Sequence, residues 1–413
     1  MTTLRRGAAA LVVTAVLGLY AAPAAFAAPS PSPSAELPAG LYGKGDPTYD
    51  GVWRQSLALL AQDTVGVEPA DEAVGFLTGQ QCASGGFPSY RADATKSCDA
   101  ELPLDTNTSA AAVQALAALG GQDAVVKKTV GWLKSVQNKD GGWGYNPGGA
   151  SDANSTSVVI GALAAAGEKP AGTRAKGGKT PYDALLTFAK PCDGKGGGAF
   201  VYQVKSPGIV ADSTAAAVLA SHGKGFAATG DGAKKDEKGT ACEKATTLEG
   251  AAHNGAAFLA NGLAKKGHFD TPPMPGADDS SPKPDFGNTA DAVVALSAQG
   301  LPGQAAKPLE WLQQNASAWA KENGPAAYAQ LIFAARAVGA DPKQFGGTDL
   351  VAALGATGPA PKAAASTGPA DNTDAQEDKS SDSSSTTWWI VGVFFVAAVG
   401  VGFLFSGRRK NQN

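Results

Sequence analysis

The sequence predicts an all-α fold of about six helix pairs, with small-residue helices forming an inner ring and aromatic, more polar helices an outer one. Three observations predict it. An aromatic-centred segment recurs: Val74-Gly75-Phe76-Leu77 returns as Val130-Gly131-Trp132-Leu133, and the step from Phe76 to Trp132 also carries Trp132 to Phe188. Phe258 and Trp311 continue the series at less regular spacing. A glycine turn follows four of these aromatics, at Gly85, Gly141, Gly197 and Gly267, and leads into a polar cluster and a run of small residues. Alternating β-branched runs, the mark of strands, are nearly absent. A pair of about 50 residues hides its apolar faces only by stacking on its neighbours.

Composition bounds the function. The chain has 413 residues, 53 of them Gly, with 43% apolar and 17% charged residues and a net charge of −3. The near-zero charge argues against a nucleic-acid partner, whose phosphate contacts need a basic face. The apolar fraction excludes a wholly disordered chain, and glycine without a three-residue period excludes collagen.

The elements follow in order. Arg5 and Arg6, an apolar run from Ala8 to Tyr20 and the triplet Ala25-Phe26-Ala27 form a secretory signal peptide over residues 1–27. Residues 28–36 are a Pro/Ser-rich spacer. Residues 37–357 hold the repeats. Gly51 to Gln62 opens the first pair, and Gly324 to Val338 begins the last. The polar clusters Asp105-Thr106-Asn107-Thr108-Ser109, Asp152-Ala153-Asn154-Ser155-Thr156, Ala211-Asp212-Ser213-Thr214 and Asp285-Phe286-Gly287-Asn288-Thr289 each open an inner helix, because their side-chain oxygens accept the free N–H groups of a first turn. Gly120, Gly167, Gly223 and Gly300 close these helices. Glu68-Pro69, Thr180-Pro181-Tyr182-Asp183 and Lys307-Pro308 read as starts of outer helices.

Residues 358–387 are rich in Pro, Ser, Thr, Asp and Glu and read as a solvated stalk. Trp388 to Phe405 carries no charge and, at about 18 residues, is just long enough for a single transmembrane helix. Arg408, Arg409 and Lys410 in the tail, residues 406–413, place the C-terminus in the cytoplasm and the N-terminal domain outside, a single-pass cell-membrane topology. Leu354-Gly355-Ala356-Thr357-Gly358 is similar to a sortase signal with Gly in place of Pro; membrane anchoring is the stronger reading. Cys82, Cys98, Cys192 and Cys242 suit an exported chain. Nearness pairs Cys82 with Cys98 and Cys192 with Cys242, although four cysteines allow three pairings.

The Gln…Gly-Gly-[Phe/Trp] turns at Gln81 to Phe87 and Gln137 to Trp143, each followed by Asp-x-Asn-[Ser/Thr], resemble the repeat of the prenyltransferase and squalene-cyclase superfamily. The resemblance spans about Leu37 to Gly355 and implies an (α/α)6 toroid, a fold shared by terpenoid cyclases and by the intrinsic factor and transcobalamin group of cobalamin carriers. Such cyclases protonate an alkene with an Asp-x-Asp-Asp motif. Here Asp152-Ala153-Asn154-Ser155 and Asp105-Thr106-Asn107-Thr108 each offer one acid, and the paired Asp278-Asp279 lie in a Pro/Ser-rich stretch. Protein prenyltransferases bind zinc through Asp, Cys and His, but His222, His253 and His268 have no paired ligand spacing. No catalytic or metal residue is assigned, and the balance tilts away from an enzyme.

What remains is binding. Parallel inner helices would gather their N-termini at one mouth, ringed by Asp105, Asn107, Thr108, Asp152, Asn154, Ser155, Asp212, Ser213, Asp285, Asn288 and Thr289, with Tyr328 and Gln330 from the last pair. Phe87, Trp143, Tyr145 and Phe200 would rim it. The resemblance implies cobalamin or another large amphipathic ligand, handed to a transporter. No cofactor is required. The carriers' ligand-clamping β domain has no counterpart after Gly355, so a small β-domain protein is the expected partner. The alternatives are a terpenoid-cyclase or prenyltransferase-like enzyme acting on an isoprenoid, and a surface protein-interaction module. On intact cells, external protease should release the repeat domain while an epitope joined after Asn413 stays protected; release of both would overturn the topology.

Overall fold

The computed structural model describes residues 37–236, 238–271 and 281–363. The signal peptide, the transmembrane segment 388–405, the cytoplasmic tail and most of the stalk lie outside the described residues. Among those described, no helix is long and apolar enough to cross a membrane.

The described chain is mostly helical. Inner helices α1 (Gly51–Thr64), α3 (Thr106–Leu119), α5 (Ala153–Ala165), α7 (Ala211–Ser221), α9 (Phe286–Ala298) and α12 (Pro325–Ala337) alternate with others. These are α2 (Asp71–Gly79), α4 (Asp123–Ser135), α6 (Pro181–Thr187), α8 (Leu248–Leu263), α10 (Pro302–Asn315), α11 (Ser317–Asn323) and α13 (Leu350–Gly355). Helix α1 packs on α3, α3 on α5, α5 on α7, α7 on α9, α9 on α12, and α12 back on α1. Each inner helix also packs on the next outer one: α1 on α2, α3 on α4, α5 on α6, α7 on α8, α9 on α10 and α12 on α13. Ala110, Ala112, Ala215, Ala217, Ala290, Ala292, Ala329 and Ala334 are wholly buried. Their small side chains let six helices crowd round one centre.

One hydrogen bond recurs at the start of four inner helices. The N–H of Phe87 donates to Ser109 Oγ at 2.8 Å, and that of Trp143 to Thr156 Oγ1 at 3.1 Å. The N–H of Phe200 donates to Thr214 Oγ1 at 3.1 Å, and that of Phe269 to Thr289 Oγ1 at 3.0 Å. In each case the acceptor is the fourth residue of its helix. Backbone pairing reinforces the bond: Phe87 bridges Asp105, and the short antiparallel pairs β1 (Val201–Gln203) with β2 (Ser206–Ile209) and β3 (Phe269–Thr271) with β4 (Lys283–Asp285) do the same in later repeats. The turn glycines are sterically required. A Cβ on Gly141, at φ 94°, would lie 2.2 Å from the Thr180 carbonyl oxygen. In the third repeat the equivalent of Gly85 and Gly141 is Gly198, one residue later than the spacing from Phe188 predicts; it takes φ 85° ahead of Ala199-Phe200.

The helix stops hold: Gly120, Gly167, Gly223 and Gly300 all adopt positive φ. The N–H groups of Glu168, Lys224 and Leu301 donate back to the carbonyls of Leu163, Leu219 and Leu296, satisfying the helix ends. Lys307-Pro308 does not start a helix. Helix α10 begins at Pro302, and Pro308, its seventh residue, sits inside it, where it gives up one intrahelical hydrogen bond. The sortase-like stretch is folded: Leu354 is wholly buried in α13, and the Thr357 carbonyl accepts from the Gly43 N–H. Beyond it, Pro359 accepts from the Tyr42 hydroxyl and Lys362 pairs with Glu68 and Asp71, so the first residues assigned to the stalk dock on the start of the repeats. Both disulfides form as nearness suggested, Cys82–Cys98 and Cys192–Cys242, each with Cα atoms 5.6 Å apart.

Thr156→Val keeps the shape but removes the acceptor for the Trp143 N–H. We expect a loss of about 1–3 kcal/mol, read as a lower denaturant midpoint with an unchanged slope; an unchanged midpoint would show that the bond carries no stability.

Candidate functional site

The first turns of α3, α5 and α7 and the residues just before α1 converge on one cavity of about 340 Å³. Its walls are layered by helix register. The second helical residues, Asn107, Asn154 and Asp212, form the upper layer; the sixth, Val158, Ala216, Asp291 and Gln330, the middle; the ninth, Gln114, Leu219, Val294 and Phe333, the lower. Residues two, six and nine recur on one face of a helix because 3.6 residues make a turn. Helix α1 adds Trp53 and Leu57, and Tyr49, Asp50 and Tyr145 stand at the mouth, Tyr49 and Tyr145 largely exposed.

The floor comes from the segment after α7. The Phe226 N–H donates to Gln114 Oε1 at 3.0 Å, its ring meets Trp53 edge-on at 5.5 Å, and a Cβ on Gly225 would lie 2.0 Å from Gln114 Oε1 and displace that side chain. Gly230 donates to the carbonyl of Ala337, at the end of α12. The segment then runs to Asp236, which His253 Nδ1 and Gln299 bond, and to Cys242.

Polar groups in the walls form two short chains. Asn107 Nδ2 donates to Asn154 Oδ1 at 3.4 Å, and Asn154 Nδ2 to Asp212 Oδ2 at 2.6 Å. Gln330 Nε2 donates to both oxygens of Asp291 at 3.3 Å. Burial, and then the charges of Asp152 and Asp285, push the Asp212 carboxyl up to about 6. Burial, and then the Asp212 charge, push that of Asp291 up to about 8. Burial and a bond to Asp105 push the Tyr145 phenol up to about 12.

The structure therefore divides the residues named from sequence. Asp105, Asn107, Thr108, Asn154, Asp212, Tyr145 and Gln330 line the cavity. The others serve the fold. Asp152 is wholly buried and caps α5 through the Ser155 N–H at 2.6 Å, while Ser155 returns a bond to it. Asp285 caps α9 through the N–H of Asn288, whose amide also bonds it, and Thr289 takes the turn bond. Trp143 packs under the turn with its indole N–H on the Leu133 carbonyl, Phe87 and Phe200 are wholly buried, and Tyr328 and Ser213 are buried in the walls. Sequence reasoning missed Asp291, Gln114, Trp53 and Phe226. Asp291 was findable, since it holds the register of Val158 and Ala216. Phe226 had no signal, because nothing in a Lys/Gly-rich insertion reveals that it folds under the ring.

Among the described residues no three or more His, Cys, Asp and Glu come together as metal ligands. His222 bonds Gln299 and His268 stacks on Trp311. Asp278 and Asp279 lie outside the described residues. No protein-family model and no curated protein matches the chain.

The raised Asp291 pKa sets a sign. The folded state keeps a proton that the unfolded chain releases near pH 4, so this contribution is complete below that pH and lost as pH rises through about 8. Asp291→Asn should flatten the fall in stability across that window by on the order of a few kcal/mol, measured by denaturant unfolding at each pH; an unchanged slope would refute the assignment.

Proposed function

We propose that this chain is a cell-surface ligand-binding protein, an (α/α)6 toroid tethered by residues 388–405 with its repeat domain outside. The two disulfides support an oxidising, extracellular setting. The observation that carries the binding reading is the cavity: amides and carboxyls from five helices stand beside apolar walls in a space closed below by Phe226. Such pockets, mostly apolar with a few convergent polar groups, hold organic ligands.

A corrinoid is the candidate the resemblance supplies. Its amide arms would meet Asn107, Asn154, Asp212 and Gln330. A cavity of about 340 Å³ takes one edge of such a macrocycle. The remainder would lie on Tyr49 and Tyr145 and be covered by a small β-domain partner or by the receiving transporter.

A second reading has its own support. Asp291, with its carboxyl pushed up to about 8 among Val294, Phe333 and Leu57, stays protonated at neutral pH. An acid of that kind protonates an alkene, which suits a cyclase-like enzyme on an isoprenoid.

One experiment separates the two. The purified full chain is titrated with cobalamin and, separately, incubated with squalene and polyprenyl diphosphates. A corrinoid absorbance shift, with Kd raised about tenfold or more in Asn107→Ala/Asn154→Ala, supports carriage; unchanged affinity in that variant removes the cavity from it. A terpene product that disappears in Asp291→Asn would replace binding with catalysis.

A further inference from the structure

We propose that the central cavity takes an organic cation, an ammonium group on an apolar body, seated between the carboxyls of Asp212 and Asp291. The proposal rests on the reading of this cavity as a ligand site and names the chemical class of the ligand.

Register carries the first part. Before α3, α5 and α9 the acid stands at the cap, as Asp105, Asp152 and Asp285, and accepts from the third helical N–H. Helix α7 has Val210 there and no side-chain cap; its acid, Asp212, is the second helical residue, in the place of Asn107 and Asn154. Giving up a cap costs about 1 kcal/mol, and the carboxyl moves from the helix end into the cavity wall. Asp291 departs from the pattern one layer down, where α5 and α7 present Val158 and Ala216.

Pairing carries the second. Among the described residues neither carboxyl has a cationic partner. Asp212 has only the Asn154 amide, and Asp291 only the Gln330 amide. Asp50 is neutralised by Arg54 at 2.6 Å, Asp105 caps α3, and Lys224 turns its ammonium to the Thr229 carbonyl. Carboxyls removed from water without a counter-charge are costly, so a bound cation would supply what the fold leaves out. An independent sign is Asn107 Oδ1 at the same mouth, a buried acceptor with no donor. Tyr49, Trp53, Tyr145, Phe226 and Phe333 line the same cavity, and aromatic rings attract ammonium groups to their faces.

The two carboxyls, raised by burial and by neighbouring carboxylates, hold protons near neutrality that a cation would displace. Affinity should therefore rise with pH. The other ionisable groups around the pair are Asp50 and Arg54 of α1, Asp105, Tyr145 and Asp152 ahead of α3 and α5, Tyr202 of β1, Lys224 after α7 and Asp285 ahead of α9; α12 offers only neutral Gln330 and Phe333.

The test is calorimetric titration of the full chain in neutral detergent with choline, its uncharged tert-butyl isostere and phenyltrimethylammonium. The cations should bind about tenfold or more tighter than the isostere at pH 8, with the preference shrinking towards pH 5. Asp212→Asn/Asp291→Asn should abolish the preference while keeping the thermal midpoint at or above that of the parent, which shows that the variant folds. Equal binding of cation and isostere, or a preference that survives in that variant, overturns the proposal. Corrinoid binding without cation preference leaves the ligand site and removes this inference; cation preference without corrinoid binding does the reverse.

Discussion

The structure depends on one hydroxyl in each of four inner helices. Ser109, Thr156, Thr214 and Thr289 each sit one turn into an inner helix and accept the N–H of the aromatic residue in the preceding glycine turn. That bond fixes where the chain, returning from the outer layer, enters the next inner helix. Because the acceptor is always the fourth helical residue, it also fixes the rotation of the helix about its axis. The second, sixth and ninth residues are thereby turned to the centre. The buried aromatics Phe87, Trp143 and Phe200 supply the apolar anchor, and the glycines beside them allow the turn to lie against the next outer element.

A ring of helices encloses a centre but does not by itself make a pocket. Lys224 to Gly230 does that, by passing beneath the ring and bonding to α3 and α12. Its path is secured farther along by Asp236 on His253 and by the Cys192–Cys242 disulfide. One mouth and one floor follow, and the apolar lower layer is screened from water.

Within that cavity the strain is electrostatic. Two carboxyls occupy positions where neighbouring helices carry amides or aliphatic groups; burial raises both, and the charge of Asp212 raises Asp291 further. Stability alone would favour replacing them, since a buried acid is destabilising without a partner. Their presence in the cavity, rather than at the caps where the other repeats place acids, is the observation behind the proposed cation site.

The sequence by itself determined the helical class and the helix stops at Gly120, Gly167, Gly223 and Gly300, and it suggested about six pairs and, by nearness, the two disulfides. The helix signals are local: a cap or a left-handed glycine is written in consecutive residues. It also brought Asn107, Asn154 and Asp212 to notice, because polar residues at helix starts stand out, with Tyr145 as a turn aromatic and Gln330 as a candidate of the last pair. Only the tertiary structure decided which of those polar residues face the centre. Asp152 and Asp212 belong to similar clusters, yet one is consumed as a cap and the other lines the cavity; the difference is two positions of register, set by the turn bond. Tertiary structure alone also chose Asp291, Trp53 and Phe226, since their proximity joins helices and a loop far apart in the chain.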